Sequence, residues 1–99
     1  MFVLELTYTA PVEEIDALRE AHLAWLDEQY EAGVFVVSGR KNPGDGGVIL
    51  AVGDDRDRIE AIAASDPFAQ EDVCAYRITE FTATRTAPPL KEYRQQLHV

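Results

Sequence analysis

Basic residues are scarce in this chain. Nine Lys and Arg stand against 18 Asp and Glu, which leaves a net charge of −9. A nucleic-acid binder needs a Lys/Arg footprint to offset phosphates, and a protein that docks on anionic lipid needs clustered basic residues. Neither partner is expected here. Cysteine is rarer still: Cys74 stands alone, so no internal disulfide can form. A lone thiol in an apolar context fits a reducing compartment. Cys74 reads as a buried strand residue, because a reactive thiol needs an electropositive setting that its neighbours do not supply. No apolar run approaches the ~20 residues of a membrane span. The opening Met1-Phe2-Val3-Leu4-Glu5 carries neither a basic segment nor a long apolar one of the kind that directs secretion. The expected location is the cytoplasm. The two histidines, His22 and His98, are far apart and poorly accompanied for a metal motif. The full glycine spacings of nucleotide-binding loops are missing as well. No metal and no cofactor is expected.

What remains is ordinary globular material: 46% hydrophobic and 27% charged residues in 99 positions. That is enough for one core without staples, hence a single domain over 1–99 with a tail from 86 to 99. Residues 2–9 alternate, with Phe2, Leu4, Leu6 and Tyr8 on one face, which predicts a strand. Residues 11–32 predict a long helix. Pro11 suits its start, Glu13 and Glu14 suit the positive end of its dipole, and Gly33 suits its stop. Ile15, Leu18, His22, Trp25 and Leu26 form its inward stripe. Strands follow at 34–39 and 48–52 around the turn-rich 40–47, then a helix at about 55–65 with Ile59, Ile62 and Ala63 inward. Asp66-Pro67 opens a short helical turn over 67–72, and 73–84 forms the last strand, with a bulge expected near Glu80-Phe81. The order βαββαβ predicts a ferredoxin-like α+β fold with an antiparallel sheet and both helices on one face.

Two strands carry unbroken apolar runs, Val34-Phe35-Val36-Val37 and Val48-Ile49-Leu50-Ala51-Val52. An antiparallel strand with one wet face alternates; a continuous run implies cover on both faces. Two helices cover only one. A second copy of the chain is the simplest cover for the other, and two sheets face to face make a dimeric α+β barrel. The competing arrangement is a monomer whose own tail crosses the open face.

His22 lies on the inward stripe of the first helix. It is either a core histidine satisfied by one hydrogen bond or a site residue. Asp66, directly before Pro67, is an ordinary N-cap, yet a capping carboxylate keeps a second oxygen that can accept from an imidazole. If the two meet, the carboxylate fixes the tautomer and favours the protonated ring, leaving the other nitrogen suited to proton transfer near neutral pH. No nucleophile accompanies the pair, so isomerisation or elimination is more natural than acyl transfer. Ser38 ends a strand where it either terminates it or donates to a ligand. Tyr8 either lines a pocket or packs. Arg40 and Lys41 are either solvated loop charges or an attraction for an anion.

The segments Met1-Phe2-Val3-Leu4, Ala21-His22-Leu23-Ala24-Trp25-Leu26, Val37-Ser38-Gly39, Gly46-Gly47-Val48-Ile49-Leu50, Asp66-Pro67-Phe68 and Ile78-Thr79-Glu80-Phe81 occur together in an order and spacing that resembles the YCII-related (YciI-like) family. The resemblance implies a ferredoxin-like fold paired as a homodimeric barrel. It also implies a site whose His and Asp fall on His22 and Asp66, with Ser38 near it. It suggests a reaction class: one related enzyme type removes chloride from a chlorinated hydroxyhydroquinone, and similarly folded muconolactone isomerases shift a proton. The expected function is a cofactor-independent small-molecule enzyme of the lyase or isomerase kind acting on a small polar or aromatic metabolite. The alternative is a non-catalytic homodimer that binds a metabolite or serves structure alone.

Overall fold

The computed structural model describes residues 1–97; His98 lies outside them. The elements run β1 (Phe2–Tyr8), α1 (Val12–Glu31), β2 (Phe35–Arg40), β3 (Gly46–Ala51), α2 (Arg56–Ala64), α3 (Pro67–Gln70), β4 (Cys74–Glu80) and a 3-10 turn, Pro88–Tyr93. The four strands form one antiparallel sheet in the order β2-β3-β1-β4. Each βαβ unit is therefore split by a strand of the other, the expected α+β arrangement.

The alternation read in β1 sets the layers. Phe2, Leu4 and Leu6 are buried, and their cross-strand partners Ala51, Ile49 and Ile78 share that face. Against it pack Ile15 and Trp25 of α1, Ile59 and Ala63 of α2, and Phe68 of α3, in one continuous core. A side chain as fully buried as Ile15 contributes roughly 1.5–3 kcal/mol. Asp55 caps α2, accepting from the Arg58 amide at 3.2 Å. Pro11 stands just before α1 rather than inside it, with no side-chain cap.

The sheet departs from expectation in two strands. β4 pairs with β1 in unbroken register from Phe2↔Glu80 to Tyr8↔Cys74, so no bulge interrupts it, and it ends at Glu80. The irregularity sits in β2 instead, where Phe35 faces Ala51 but Val37 faces Leu50. The extra residue there, Val36, explains why the sequence fails to alternate: the run reflects a bulge, and Val37 is 55% exposed. In β3 the apolar run hides a clean alternation, since Ile49 and Ala51 are buried while Val48 is 37% exposed and Leu50 half-buried.

The described tail leaves Val37 and Val48 uncovered. It doubles back along itself: the Gln95 amide donates to the Ala83 carbonyl at 2.8 Å, and the Ala83 amide donates to Gln95 Oε1 at 2.9 Å.

β3 approaches β1 closely at Gly46. A Cβ there would lie 1.9 Å from the Leu6 carbonyl oxygen and 2.9 Å from its carbon. Backbone atoms in a sheet cannot give way cheaply. Gly46→Ala is expected to destabilise by about 1–3 kcal/mol, read as a thermal midpoint lower by at least 4 °C or so in circular dichroism. An unchanged midpoint would show that β3 can separate from β1 at its first residue without cost.

Candidate active site

The site begins with a capping interaction. Asp66 precedes Pro67, and its Oδ1 accepts from the Phe68 amide at 2.9 Å. That fixes the carboxylate at the start of α3, where it is fully buried. A buried carboxylate must be satisfied by hydrogen bonds, and Asp66 is. Its Oδ1 also lies 2.8 Å from His22 Nδ1, and its Oδ2 accepts from the Tyr76 hydroxyl at 2.5 Å. The cap and the partner of His22 are one and the same group, but not through the spare oxygen: the imidazole shares the capping Oδ1, and the second oxygen, Oδ2, is taken by Tyr76.

The imidazole is held on its faces as well as at its nitrogen. It stacks on Phe68 with centroids 4.2 Å apart and planes 12° apart, and Trp25 flanks it at 5.5 Å. Trp25 is fixed in turn, its indole N–H donating to Ser65 Oγ at 2.9 Å. With Nδ1–H donated to the carboxylate, Nε2 is the remaining nitrogen. It has no hydrogen-bond partner among the described residues, yet no buried side-chain nitrogen or oxygen there lacks one. Nε2 is therefore open, and His22 borders a cleft of about 220 Å³ between α1 and the β2–β3 end of the sheet.

Tyr8, His22 and Ser38 all line this cleft, with Asp66 behind the imidazole. Leu6, Leu23, Leu26 and Ile49 supply its apolar wall. Ser38 reaches it because of the β2 bulge, which puts Ser38 opposite Ile49 on the helix-side face. Its hydroxyl shares a 2.5 Å hydrogen bond with the Tyr30 hydroxyl. Arg19 and Arg40 also border the cleft. Lys41 does not: it is held by Thr7, Glu5 and Asp45.

Tyr76 escaped the sequence reading, although the alternation Cys74, Tyr76, Ile78 placed it on the helix-side face. Burial first, then the neighbouring Asp66 charge and the hydrogen bond to it, push the Tyr76 phenol far up, so it stays a donor. Burial and the charges of Asp66 and Asp72 likewise push the Cys74 thiol up to about 11. Cys74 is thus an inert strand residue. Ellman's reagent is expected to label it slowly at neutral pH and promptly once the chain is unfolded; rapid labelling of the folded protein would contradict its burial. Because both groups keep their protons longer when folded, their contribution to stability is complete below the ordinary values of 9.0 for the thiol and 10.0 for the phenol. It is lost as pH rises through the raised ones.

Among the described residues, no three His, Cys, Asp or Glu side chains come together as a metal set, and no helix is long and apolar enough to cross a membrane. No curated protein sequence matches the chain. In solved structures the fold is similar to 5-chloro-2-hydroxyhydroquinone dehydrochlorinase (TftG) from Burkholderia phenoliruptrix AC1100, in complex with 2,5-dihydroxybenzoquinone. The TM-score is 0.68 at 17% identity, over 82% of this chain and 93% of that one. At that identity the likeness speaks to the fold. Residues 1–82 match the YCII-related domain, and the chain belongs to that family.

Proposed function

We propose that the protein is a small-molecule enzyme in which His22 moves a proton and Asp66 orients it. The observation that carries this reading is the pairing of a buried, fully hydrogen-bonded carboxylate with an imidazole that borders a cleft and whose second nitrogen has no partner among the described residues. In the resting state His22 Nε2 is the base. It takes a proton from an O–H or C–H of the bound substrate, and the imidazolium that forms is stabilised by Asp66. The electron pair left on the substrate has two outlets. It can expel a leaving group such as chloride, which is elimination, or it can accept the same proton back at another carbon, which is isomerisation. The similar fold of a dehydrochlorinase makes elimination the first reaction to test.

The direct assay follows chloride release from 5-chloro-2-hydroxyhydroquinone and related chlorinated hydroquinones, with proton exchange in D₂O for lactones. Multiple turnover is expected with at least one member of this panel. Ligands that raise the thermal midpoint but are never turned over would favour the non-catalytic metabolite binder. The single thiol, buried and unpaired, suits a reducing cytoplasm.

The working unit we propose is a homodimer with the two sheets face to face. Val37 and Val48, with half-buried Val3 and Leu50, leave the β2–β3 half of the outer face apolar, and a shallow groove runs along it. Light scattering on the purified chain should give twice the protomer mass. Val48→Lys should give the protomer mass, since a two-fold axis brings like charges together. A wild-type monomer at micromolar concentration would remove the dimer.

A further inference from the structure

Resting on the reading of His22 as the proton-moving group, we propose that the cleft takes a one-ring oxyanion, a carboxylate or an acidic phenolate, and that Arg40, helped by Arg19, binds its charge. In a chain with twice as many acids as bases, the charged side chains bordering this cleft are two arginines and no carboxylate. Their surroundings differ. Arg19 is anchored by Asp16 at 3.0 Å, and its guanidinium is held up chiefly by that hydrogen bond and further by the nearby Tyr8 hydroxyl, against some desolvation. Arg40 has no acidic partner among the described residues, whereas its neighbour Lys41 has two.

The register puts Arg40 at the rim of the cleft, its position on the helix-side face and its guanidinium lying over Gly44 of the β2–β3 turn. Downstream of the bulge, Ser38 and Arg40 share the helix-side face, opposite Ile49 and Gly47. A guanidinium offers a planar fork that matches a carboxylate or a pair of ring oxygens. The size is consistent. A cavity of about 150 Å³ holds benzene, so one of about 220 Å³ holds a single ring with one or two small substituents. The apolar wall from Leu6, Leu26 and Ile49 receives the ring, the arginines receive the oxyanion, and His22 Nε2 is left for the proton that moves.

The test is calorimetric titration of the full chain with matched probes: benzoate against benzamide, and 4-nitrophenolate at mildly alkaline pH against 4-nitroanisole. At least one anion should bind about tenfold or more tightly than its neutral partner. The winning pair identifies the ligand as carboxylate or phenolate. Arg40→Gln should abolish most of the preference, Arg40→Lys should restore part of it, and Arg19→Gln should cost less. Arg40 is exposed on an edge strand, so these variants can be checked for unchanged thermal midpoints. His22→Asn should keep the anion preference while turnover of any substrate from the chloride and exchange panel falls. The proposal is overturned if neither anion outbinds its neutral partner, if Arg40→Gln keeps the preference, or if His22→Asn rather than Arg40→Gln removes it. That last result would leave proton transfer by His22 standing. Conversely, a preference lost in Arg40→Gln, with turnover unchanged in His22→Asn, would keep the anion site and dismiss the base.

Discussion

His22→Asn is expected to lower turnover about 10²–10⁴-fold, the usual share of a positioned acid–base group. Asparagine is the informative replacement, because its amide N–H can take over the position of Nδ1 and keep the hydrogen bond to Asp66 Oδ1, now 2.8 Å long. The buried carboxylate stays satisfied, so the protein should fold with nearly its native midpoint, while no basic nitrogen faces the cleft. The loss should fall on kcat more than on KM, since the missing interaction belongs to the transition state. Added imidazole should restore part of the rate by supplying the base from solution. Full activity in the variant would exclude His22 as the proton carrier. It would turn attention to the other hydroxyls of the cleft, Tyr8 and Ser38.

Asp66→Ala should be the most damaging substitution for stability. It removes the N-cap of α3, worth about 1 kcal/mol. It also strands the Tyr76 hydroxyl and the His22 N–H, at ~1–3 kcal/mol for each buried donor left unmade. A total on the order of 3–7 kcal/mol corresponds to a fall in Tm of more than about 12 °C for a chain of this size. Asp66→Asn separates structure from electrostatics. Its oxygen can still accept from the Phe68 amide and His22, and its amide can donate to the Tyr76 oxygen. Most of the stability should return, but the negative charge that steadies an imidazolium is gone, so activity should remain low. Thermal denaturation of the two variants side by side decides the matter. An Ala variant as stable as wild type would mean that the three hydrogen bonds to Asp66 contribute little to the fold.

The fold was legible because its signals are local. Two-residue alternation in Phe2–Tyr8, the inward stripe of Val12–Glu31 and the Asp66-Pro67 start each depend on neighbours in the chain. His22 could be placed on the buried stripe for the same reason. Whether it met Asp66 could not, because the two lie 44 residues apart and the distance between them is set by how α1 and α3 pack. Tyr76 and the arginines were harder still. Tyr76 becomes a partner of Asp66 only once β4 is seated beside β1. Arg40 looked like a loop charge because it ends a strand whose register the sequence does not announce. An apolar run with one residue too many looks the same as a run buried on both sides, so the bulge in β2 was read as a sign of cover and an irregularity was expected in β4 instead.

That surplus residue at Val36 has a consequence for how such proteins diverge. The groups proposed to handle the proton are rooted in α1, α3 and β4, whereas Ser38 and Arg40, proposed to greet an incoming molecule, hang from β2, downstream of the bulge. A substitution that let Val36 pair regularly, so that the bulge vanished at constant length, would turn Ser38 and Arg40 toward the outer face and bring Val37 and Gly39 inward, repainting the vestibule and leaving the engine room untouched.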